Sequence, residues 1–157
     1  MPPGFILRPA RNADCSSVQS LVFGILAEYG LLADPGSTDA DLFDLEAFYE
    51  GQGGAFSVVE DLEGNIVASV GLAPDSPQSC ELRKMYVLPR CRGLGLGKEL
   101  LRHALNQARQ LGFQEIRLET ATVLKEAVVM YERAGFQPYE PEHCAARCDA
   151  AYRMSLS

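Results

Sequence analysis

The residues with the clearest chemical potential in this chain form a glycine-rich turn. The segment Arg92-Gly93-Leu94-Gly95-Leu96-Gly97-Lys98 follows a predicted strand and leads into a strongly amphipathic helix. The first amides of a helix lack partners within it and lie at the positive end of its dipole, so they bind phosphate groups. Glycine allows a phosphate to approach the backbone closely. The turn therefore predicts a site for a phosphate-bearing ligand.

Two common phosphate-binding motifs do not fit this turn. The dinucleotide pattern G-x-G-x-x-G fails because Lys98 or Leu100 stands at the position of its last glycine. The P-loop pattern fails because Glu99 replaces the required Ser or Thr, and Arg92 stands at the position of its first glycine. The ligand is thus expected to belong to another class.

Two blocks of sequence resemble the signature of a known family. Arg92-x-x-Gly95-x-Gly97 is similar to the R/Q-x-x-G-x-G/A pyrophosphate motif of the GNAT superfamily of N-acetyltransferases. The segment from Ala127 to Phe136 resembles that family's A-x-x-x-Y-x-x-x-G-F block. The match covers residues 81–136, and earlier residues agree only in the order of elements. The resemblance implies an acetyl-CoA-dependent N-acetyltransferase, an acyltransferase that acts by direct transfer to a primary amine.

The resemblance also implies roles for individual residues. Backbone amides of the turn would hold the CoA pyrophosphate, from Arg92 through Gly93, Leu94, Gly95, Leu96 and Gly97 to Lys98. Pantetheine would pair with the strand before the turn, beside a β-bulge, at Met85, Tyr86 and Val87. One of these amides would polarise the acetyl carbonyl. Tyr131 resembles the general acid that protonates the departing thiolate.

One position departs from the family pattern. Many members have an Asn that bonds the pantetheine arm where this chain has Leu124. The contact is therefore missing here or supplied by another residue, such as Thr120 or Thr122. The departure does not affect the pyrophosphate turn.

Amine acetylation needs a base. An alkyl ammonium has a pKa near 10, so it must lose a proton before it attacks a thioester. A carboxylate, or a water held by one, can accept that proton. Glu81 opens the strand before the turn and is the first candidate, and Glu119 is the second. A solvated strand-edge role for Glu81 and a core-packing role for Tyr131 remain alternatives.

The elements that must position these residues alternate between strand and helix. Period-two patterns predict strands at 5–8, 55–60, 66–72, 81–88, 116–120, 136–139 and 151–156. Helical spacing predicts helices after Asp14, around 42–49, over 97–112 and over 125–134. The order predicts an α/β fold (α+β sandwich) in one domain spanning 1–157. With the resemblance, we expect a GNAT-like mixed, mostly antiparallel sheet of about seven strands, with helices on both faces and a splay between the fourth and fifth strands.

Charge is distributed unevenly along the chain. The net charge is -7, and residues 12–82 contain acidic residues but neither Lys nor Arg. This region disfavours nucleic acid and favours a small cationic amine as acceptor, such as a polyamine, an amino sugar or a peptide amine. Basic residues that suit a polyanion gather later, at Arg83, Lys84, Arg90, Arg92, Lys98 and Arg102. Both regions are also compatible with simple solvated faces.

Aromatic residues and a later loop are further candidates for the acceptor pocket. Tyr29, Phe43, Phe48 and Tyr49 would line it unless they belong to the core, and a loop over 140–149 would cover it. No apolar run reaches the roughly 20 residues of a membrane span, so no membrane partner is expected.

The cysteines are informative about the cellular compartment and not about catalysis or metal binding. Cys15, Cys80, Cys91, Cys144 and Cys148 are scattered, which predicts reduced thiols in a cytoplasmic protein. Cys144 and Cys148, even with His143, lack zinc-site spacing, so no metal is expected. Two other functions stay open, a catalytically silent acyl-CoA-binding regulatory module and an acetyltransferase of a protein or peptide amine. The resemblance also allows a homodimer.

Overall fold

The computed structural model describes residues 1–157 and contains seven strands and four helices. In chain order they are β1 (Phe5–Pro9), α1 (Cys15–Glu28), α2 (Leu45–Phe48), β2 (Ala55–Asp61), β3 (Ile66–Pro74), β4 (Ser79–Val87), α3 (Leu96–Gln110), β5 (Glu115–Thr120), α4 (Lys125–Ala134), β6 (Gln137–Pro138) and β7 (Ala150–Ser155). Short 3-10 turns lie at Asn12–Asp14, Ala40–Phe43, Glu50–Gln52 and Pro89–Cys91. None of the helices combines the length and apolar content that a membrane span requires.

The strands form one sheet in the order β1-β2-β3-β4-β5-β7-β6. Every neighbouring pair is antiparallel except β4 and β5, which are parallel. These two strands pair only where Ser79–Glu81 faces Glu115–Arg117, and the rest of β4 has no partner on that side. The predicted mixed sheet and its splay between the fourth and fifth strands are confirmed.

Strand β4 contains a bulge that the sequence pattern conceals. Ser69 of β3 faces Tyr86 while Gly71 faces Arg83, which leaves Lys84 and Met85 opposite a single residue of β3. Lys84 has a φ of 54°, the only positive φ outside glycine in the chain. A strict period-two alternation along the strand predicted at 81–88 therefore breaks at its centre, because a bulge adds one residue to one strand, and the β-bulge that the family resemblance implies is present here.

Helices cover both faces of the sheet. On one face, α3 packs against the central strands because its apolar residues recur at helical spacing, at Leu96, Leu100, Leu101, Ala104 and Ala108. On the other face, α1 buries Val18, Val22 and Leu26 in a second cluster with Tyr49, Phe56 and Val58. Burying a side chain such as Leu100 contributes about 1.5–3 kcal/mol. The two clusters together bury both faces of the sheet.

The second predicted helix is reduced to a single turn. Leu45–Phe48 is α-helical, and the residues before and after it form 3-10 turns. Asp44 caps the turn by accepting a hydrogen bond from the Ala47 amide at 3.1 Å. Gly53, with a φ of 88°, ends the segment. The segment between α1 and β2 is thus a series of turns over the sheet.

Candidate functional site

A cavity of about 640 Å³ lies where β4 and β5 part. Its walls come from both strands, from α1, α3 and α4, and from the loop at 140–149. Of the residues predicted for the site, it contains Glu81, Met85, Tyr86, Val87, Arg92, Gly93, Leu96, Gly97 and Tyr131. Leu94, Gly95 and Lys98 belong to the same turn but do not line the cavity. Residues far apart in sequence are therefore brought to one space.

The glycine-rich turn forms one end of this cavity. Gly93 and Gly95 have φ values of 80° and 86°, and the space where a Cβ would stand is open at both. Helix α3 begins at Leu96, so the next amides have no intrahelical partner. The donors, the helix dipole and the open space fit a pyrophosphate group.

Arg92 braces the turn against its surroundings. Its Nε donates to the Val87 carbonyl at 3.0 Å, and its two terminal nitrogens donate to the Glu28 carboxylate at 2.7 and 3.0 Å. Its guanidinium lies 5.6 Å from the centroid of the Tyr29 ring. The arginine therefore links the end of β4 to the end of α1.

The predicted basic cluster is not one surface. Arg90 pairs with Asp61, and Arg102 pairs with Glu99 on the outside of α3. Arg83 and Lys84 instead donate to the Thr38 carbonyl at 2.9 and 3.1 Å. The prediction of a shared polyanion surface is wrong because most of these cations have their own anionic partners.

Tyr131, on α4, lines the cavity. It is 6% exposed, its ring packs against Phe136 with 5.7 Å between centroids, and its hydroxyl forms no hydrogen bond within the chain. Burial, with a smaller contribution from Tyr86, raises the pKa of Tyr131 above its usual value. The phenol is therefore protonated at neutral pH and free to donate to a bound molecule.

Two carboxylates form the end of the cavity opposite the glycine turn. Glu81 is the last residue of β4 paired with β5, opposite Arg117, so it stands where the strands part. Burial raises the pKa of Glu81, Arg83 at 3.2 Å opposes this, and the negative charge of Glu119 adds to it. Glu119 accepts a hydrogen bond from the Ala145 amide at 2.6 Å. One carboxylate thus holds the loop, and the other has a pKa suited to proton exchange.

Buried ion pairs lie behind these carboxylates. The Lys84 ammonium lies 3.2 Å from Asp39 and 3.1 Å from Asp41, and all three side chains are nearly inaccessible. Arg147 donates to both oxygens of Asp39 at 2.7 Å. Asp41 also accepts a hydrogen bond from the Tyr49 hydroxyl. These two buried acids of the acidic region at 12–82 are therefore neutralised within the chain.

The pKa values of these groups reflect burial and pairing. Burial opposes ionisation of Asp39, but the hydrogen bonds from Arg147 and the Asp34 amide and the charge of Lys84 outweigh it and lower its pKa to about 2. Burial lowers the pKa of Lys84, and the two carboxylates oppose that change. The geometry is that of an ionised network, since every charge faces an opposite charge within 4 Å.

The loop at 140–149 covers the carboxylate end of the cavity. Arg147 and the Ala145 amide anchor its middle, and Asp149 accepts from the Thr122 amide and hydroxyl at 2.7 and 2.8 Å. Burial raises the pKa of Cys144 to about 12 and that of Cys148 to about 11. Both cysteines line the cavity, so they present neutral thiols to it.

Other predicted contacts are distributed differently. Tyr29 lines the phosphate end, Tyr49 belongs to the core, Phe43 is exposed, and Phe48 lies under Arg83 outside the cavity. Leu124 and Thr120 line the cavity, whereas Thr122 holds the loop. Sequence reasoning missed the roles of Asp39, Lys84 and Arg147. A lysine near the centre of a strand was the one local signal.

Comparison with known proteins identifies the family. The model of the acetyltransferase (GNAT) family matches residues 25–136. YjgM, an uncharacterised N-acetyltransferase of Escherichia coli K12, is 40% identical over 159 residues, which cover 98% of this chain and 95% of that protein. A GNAT-family acetyltransferase of Staphylococcus aureus Mu50 has the same fold, with a TM-score of 0.90 and 22% identity over 98% of this chain and 99% of the other.

Two further solved structures share the fold and contain ligands. YncA of Salmonella typhimurium, a structure with acetyl-CoA, has a TM-score of 0.76 and 18% identity over 98% of this chain and 95% of the other. Spermidine N-acetyltransferase of Vibrio cholerae, in complex with CoA and spermine, has a TM-score of 0.71 and 21% identity over 98% and 96%. The family model and the E. coli relative show that this chain belongs to the GNAT family and is an N-acetyltransferase.

Proposed function

We propose that this enzyme transfers the acetyl group of acetyl-CoA directly to the primary amine of a small cationic acceptor. One observation carries the proposal: a single cavity contains the glycine turn, the unpaired end of β4, Tyr131 and Glu81. The proposal takes residues 1–157 as one domain.

The phosphate end and β4 would bind the cosubstrate. The turn from Arg92 to Lys98 would hold the pyrophosphate through its backbone amides. Met85, Tyr86 and Val87 would hold the pantetheine arm, because β5 does not use the β4 edge beyond Glu81. Acetyl-CoA supplies an activated thioester, and a β4 amide that donates to its carbonyl would stabilise the charge that develops there.

Glu81 and Tyr131 would move the protons. Glu81 takes one from the acceptor's ammonium, directly or through a water, so that the nitrogen lone pair can form the new amide bond. The C–S bond breaks as the tetrahedral adduct collapses, Tyr131 donates its hydroxyl proton to the leaving thiolate, and the second proton, lost from the adduct's nitrogen, restores the phenol. A protonated phenol and a carboxylate of raised pKa suit these roles.

The carboxylates facing the cavity favour a cationic acceptor. Asp39 and Asp41 are compensated by Lys84 and Arg147, so attraction for an ammonium falls to Glu81 and Glu119. The V. cholerae enzyme with spermine shows that a member of this fold accepts such a ligand. A cytoplasmic location belongs to the same proposal, supported by five free cysteines.

The test is release of free CoA thiol against polyamines, amino sugars, amino acids and peptides. Tyr131→Phe is compared with wild type, and Tyr139→Phe, which lies outside the cavity, is the matched control. We expect turnover of at least one cationic amine and a loss of about 100-fold in kcat for Tyr131→Phe only.

Other results would revise the proposal. Acetyl-CoA binding without turnover of any amine would favour a silent regulatory module. Activity restricted to neutral or anionic amines would overturn the cationic acceptor, and activity restricted to peptides would point to a protein or peptide substrate. Analytical ultracentrifugation of the same samples would test for a homodimer.

A further inference from the structure

The bulge of β4 is held in an unfavourable backbone conformation. Lys84 adopts a left-handed φ of 54°, which is unfavourable for a residue with a Cβ. Glycine would adopt it freely, yet a lysine stands here. Such a conformation persists only where the surroundings hold it.

Lys84 is held in place at two groups, its backbone carbonyl and its ammonium. Its carbonyl accepts a hydrogen bond from the Ser69 hydroxyl at 2.7 Å, across the bulge from β3. Its ammonium reaches Asp39, Asp41 and the Thr38 carbonyl, all within 3.2 Å. The side chain is 3% exposed, so this ammonium cannot turn to water without leaving its partners.

The partners of Lys84 are themselves fixed. Asp39 is bound by Arg147 from the loop at 140–149, and Asp41 by the Tyr49 hydroxyl from the core. Arg83, the neighbour of Lys84, lies 4.0 Å from Asp41. Both strand neighbours are therefore tied to the segment at 38–41. Within β4, the residues that follow are Met85 and Tyr86, which lie beyond the part of β4 that pairs with β5.

We infer that Lys84 is a positioning residue for acetyl transfer, whose buried ammonium fixes the β4 bulge and thereby the amides of Met85 and Tyr86. The inference rests on the proposed use of those amides in transfer. Lys84 touches neither acceptor nor thioester in this role. The loop at 140–149 contributes through Arg147, which binds Asp39, a partner of Lys84. An ordered loop therefore also helps to hold the bulge beside the reaction centre.

The test removes the ammonium together with its carboxylate partner, so that no buried charge is left alone. Lys84→Met with Asp41→Asn is compared with Lys84→Arg, which keeps the cation. The control is Arg102→Met with Glu99→Gln, an ion pair on the exposed side of α3. Three quantities are measured: kcat, the acetyl-CoA Kd by calorimetry, and amide hydrogen exchange of Met85 and Tyr86 in the free enzyme.

We expect the Lys84–Asp41 double variant to lose about 10-fold or more in kcat, with the Kd for acetyl-CoA changed less than about 3-fold. Exchange at Met85 and Tyr86 should accelerate about 10-fold, while Lys84→Arg and the control stay close to wild type. Wild-type kcat and wild-type exchange in the double variant would overturn the inference. So would equal losses in kcat and binding with unchanged exchange.

A second variant covers the case in which the double variant does not fold. Lys84→Gln with Asp41→Asn removes the same two charges and keeps polar groups that can hydrogen bond in their place. It should accelerate exchange at Met85 and Tyr86, and unchanged exchange there would overturn the inference. Because exchange is measured without substrate, failure of the proposed function, seen as wild-type inactivity, is distinguishable from failure of this inference.

Discussion

The Glu81 carboxylate lies 3.2 Å from the Arg83 guanidinium, and both side chains stand at the point where β4 and β5 part. The arginine also donates to the Thr38 carbonyl and stacks over Phe48. These contacts restrict the movement of the Arg83 guanidinium, and thereby of the Glu81 carboxylate paired with it. A base held by a fixed cation keeps a defined position, and its proton affinity is tuned by that cation.

Replacing Glu81 should alter the pH dependence of catalysis. Burial raises the pKa of Glu81 above its ordinary 4.5, so the acidic limb of kcat/KM should lie above that value. Glu81→Gln should remove this limb and lower kcat/KM about 100-fold at neutral pH. Arg83→Gln should move the limb to higher pH, because the opposing positive charge is lost. The measurement is kcat/KM from pH 4 to 9 with one amine.

Glu119→Gln is the control for that series. Its carboxylate holds the Ala145 amide, so the variant should affect loop order more than the acidic limb. If the acidic limb of the kcat/KM profile disappeared in Glu119→Gln and remained in Glu81→Gln, the base would be Glu119 and not Glu81.

Gly95→Ala should destabilise the turn before α3. Gly95 has a φ of 86° and an open space at its Cβ position, so the cost is conformational and amounts to about 1 kcal/mol. Gly24→Ala is the matched control, since Gly24 is exposed within α1 and also has open space around it. That substitution should stabilise the protein by about 0.5–1 kcal/mol. Urea unfolding measures the free energy of unfolding of both variants. Changes of the same sign in Gly95→Ala and Gly24→Ala would contradict the expectation.

Arg92→Gln should weaken acetyl-CoA binding. The substitution removes the cation at the phosphate end and the bonds to Val87 and Glu28 that hold the turn. We expect the Kd measured by calorimetry to rise about 10-fold, or about 1.4 kcal/mol. Arg90→Gln provides the comparison, because Arg90 is exposed and pairs with Asp61 away from the cavity. Similar losses in both variants would indicate a general charge effect instead.

Asp39→Asn should reduce stability at neutral pH and not in acid. The folded state lowers the pKa of Asp39 from 3.8 to about 2, so its ionised form contributes about 2 kcal/mol above pH 4. That contribution disappears as the pH falls from 4 towards 2. Unfolding free energies at pH 7, 5, 4 and 3 should therefore converge between variant and wild type. Exposed Glu142→Gln should show no such convergence, and a constant difference for Asp39→Asn would contradict the assignment.

The sequence was informative where structure is local. The glycine turn, the α3 stripe and the strand order follow from spacing, and the family resemblance added the splay of the sheet. The charges were harder to place. Asp39 and Arg147 are separated by 108 positions, and the sequence around each of them does not indicate that they form an ion pair. Net charge of the acidic segment could not reveal that two of its acids are buried and paired.

The family resemblance implied a bulge in β4, but the residues themselves do not reveal it. Lys84 fits a period-two pattern in sequence, and only the pairing of β3 with β4 shows the extra residue. Similarly, Tyr49 and Phe48 are adjacent and aromatic, yet one is core and the other lies under Arg83. Tertiary packing determines the bulge and the different environments of these two aromatic residues, so a pattern along the sequence does not predict them.

The short seam between β4 and β5 has a mechanical consequence. The strand pairing that joins the two groups of strands, β1–β4 and β5–β7, is confined to Ser79–Glu81 and Glu115–Arg117, and just before it the Gln114 and Glu115 amides donate to the Gln78 carbonyl. Beyond the seam, the two groups are joined by side-chain packing and by side-chain contacts such as the Arg147–Asp39 ion pair, so each can open locally with limited effect on the other. A ligand that spans the gap acts as an added strand, and its binding energy couples the two groups into one cooperative unit. The enzyme's rigidity is then partly a property of its bound substrate.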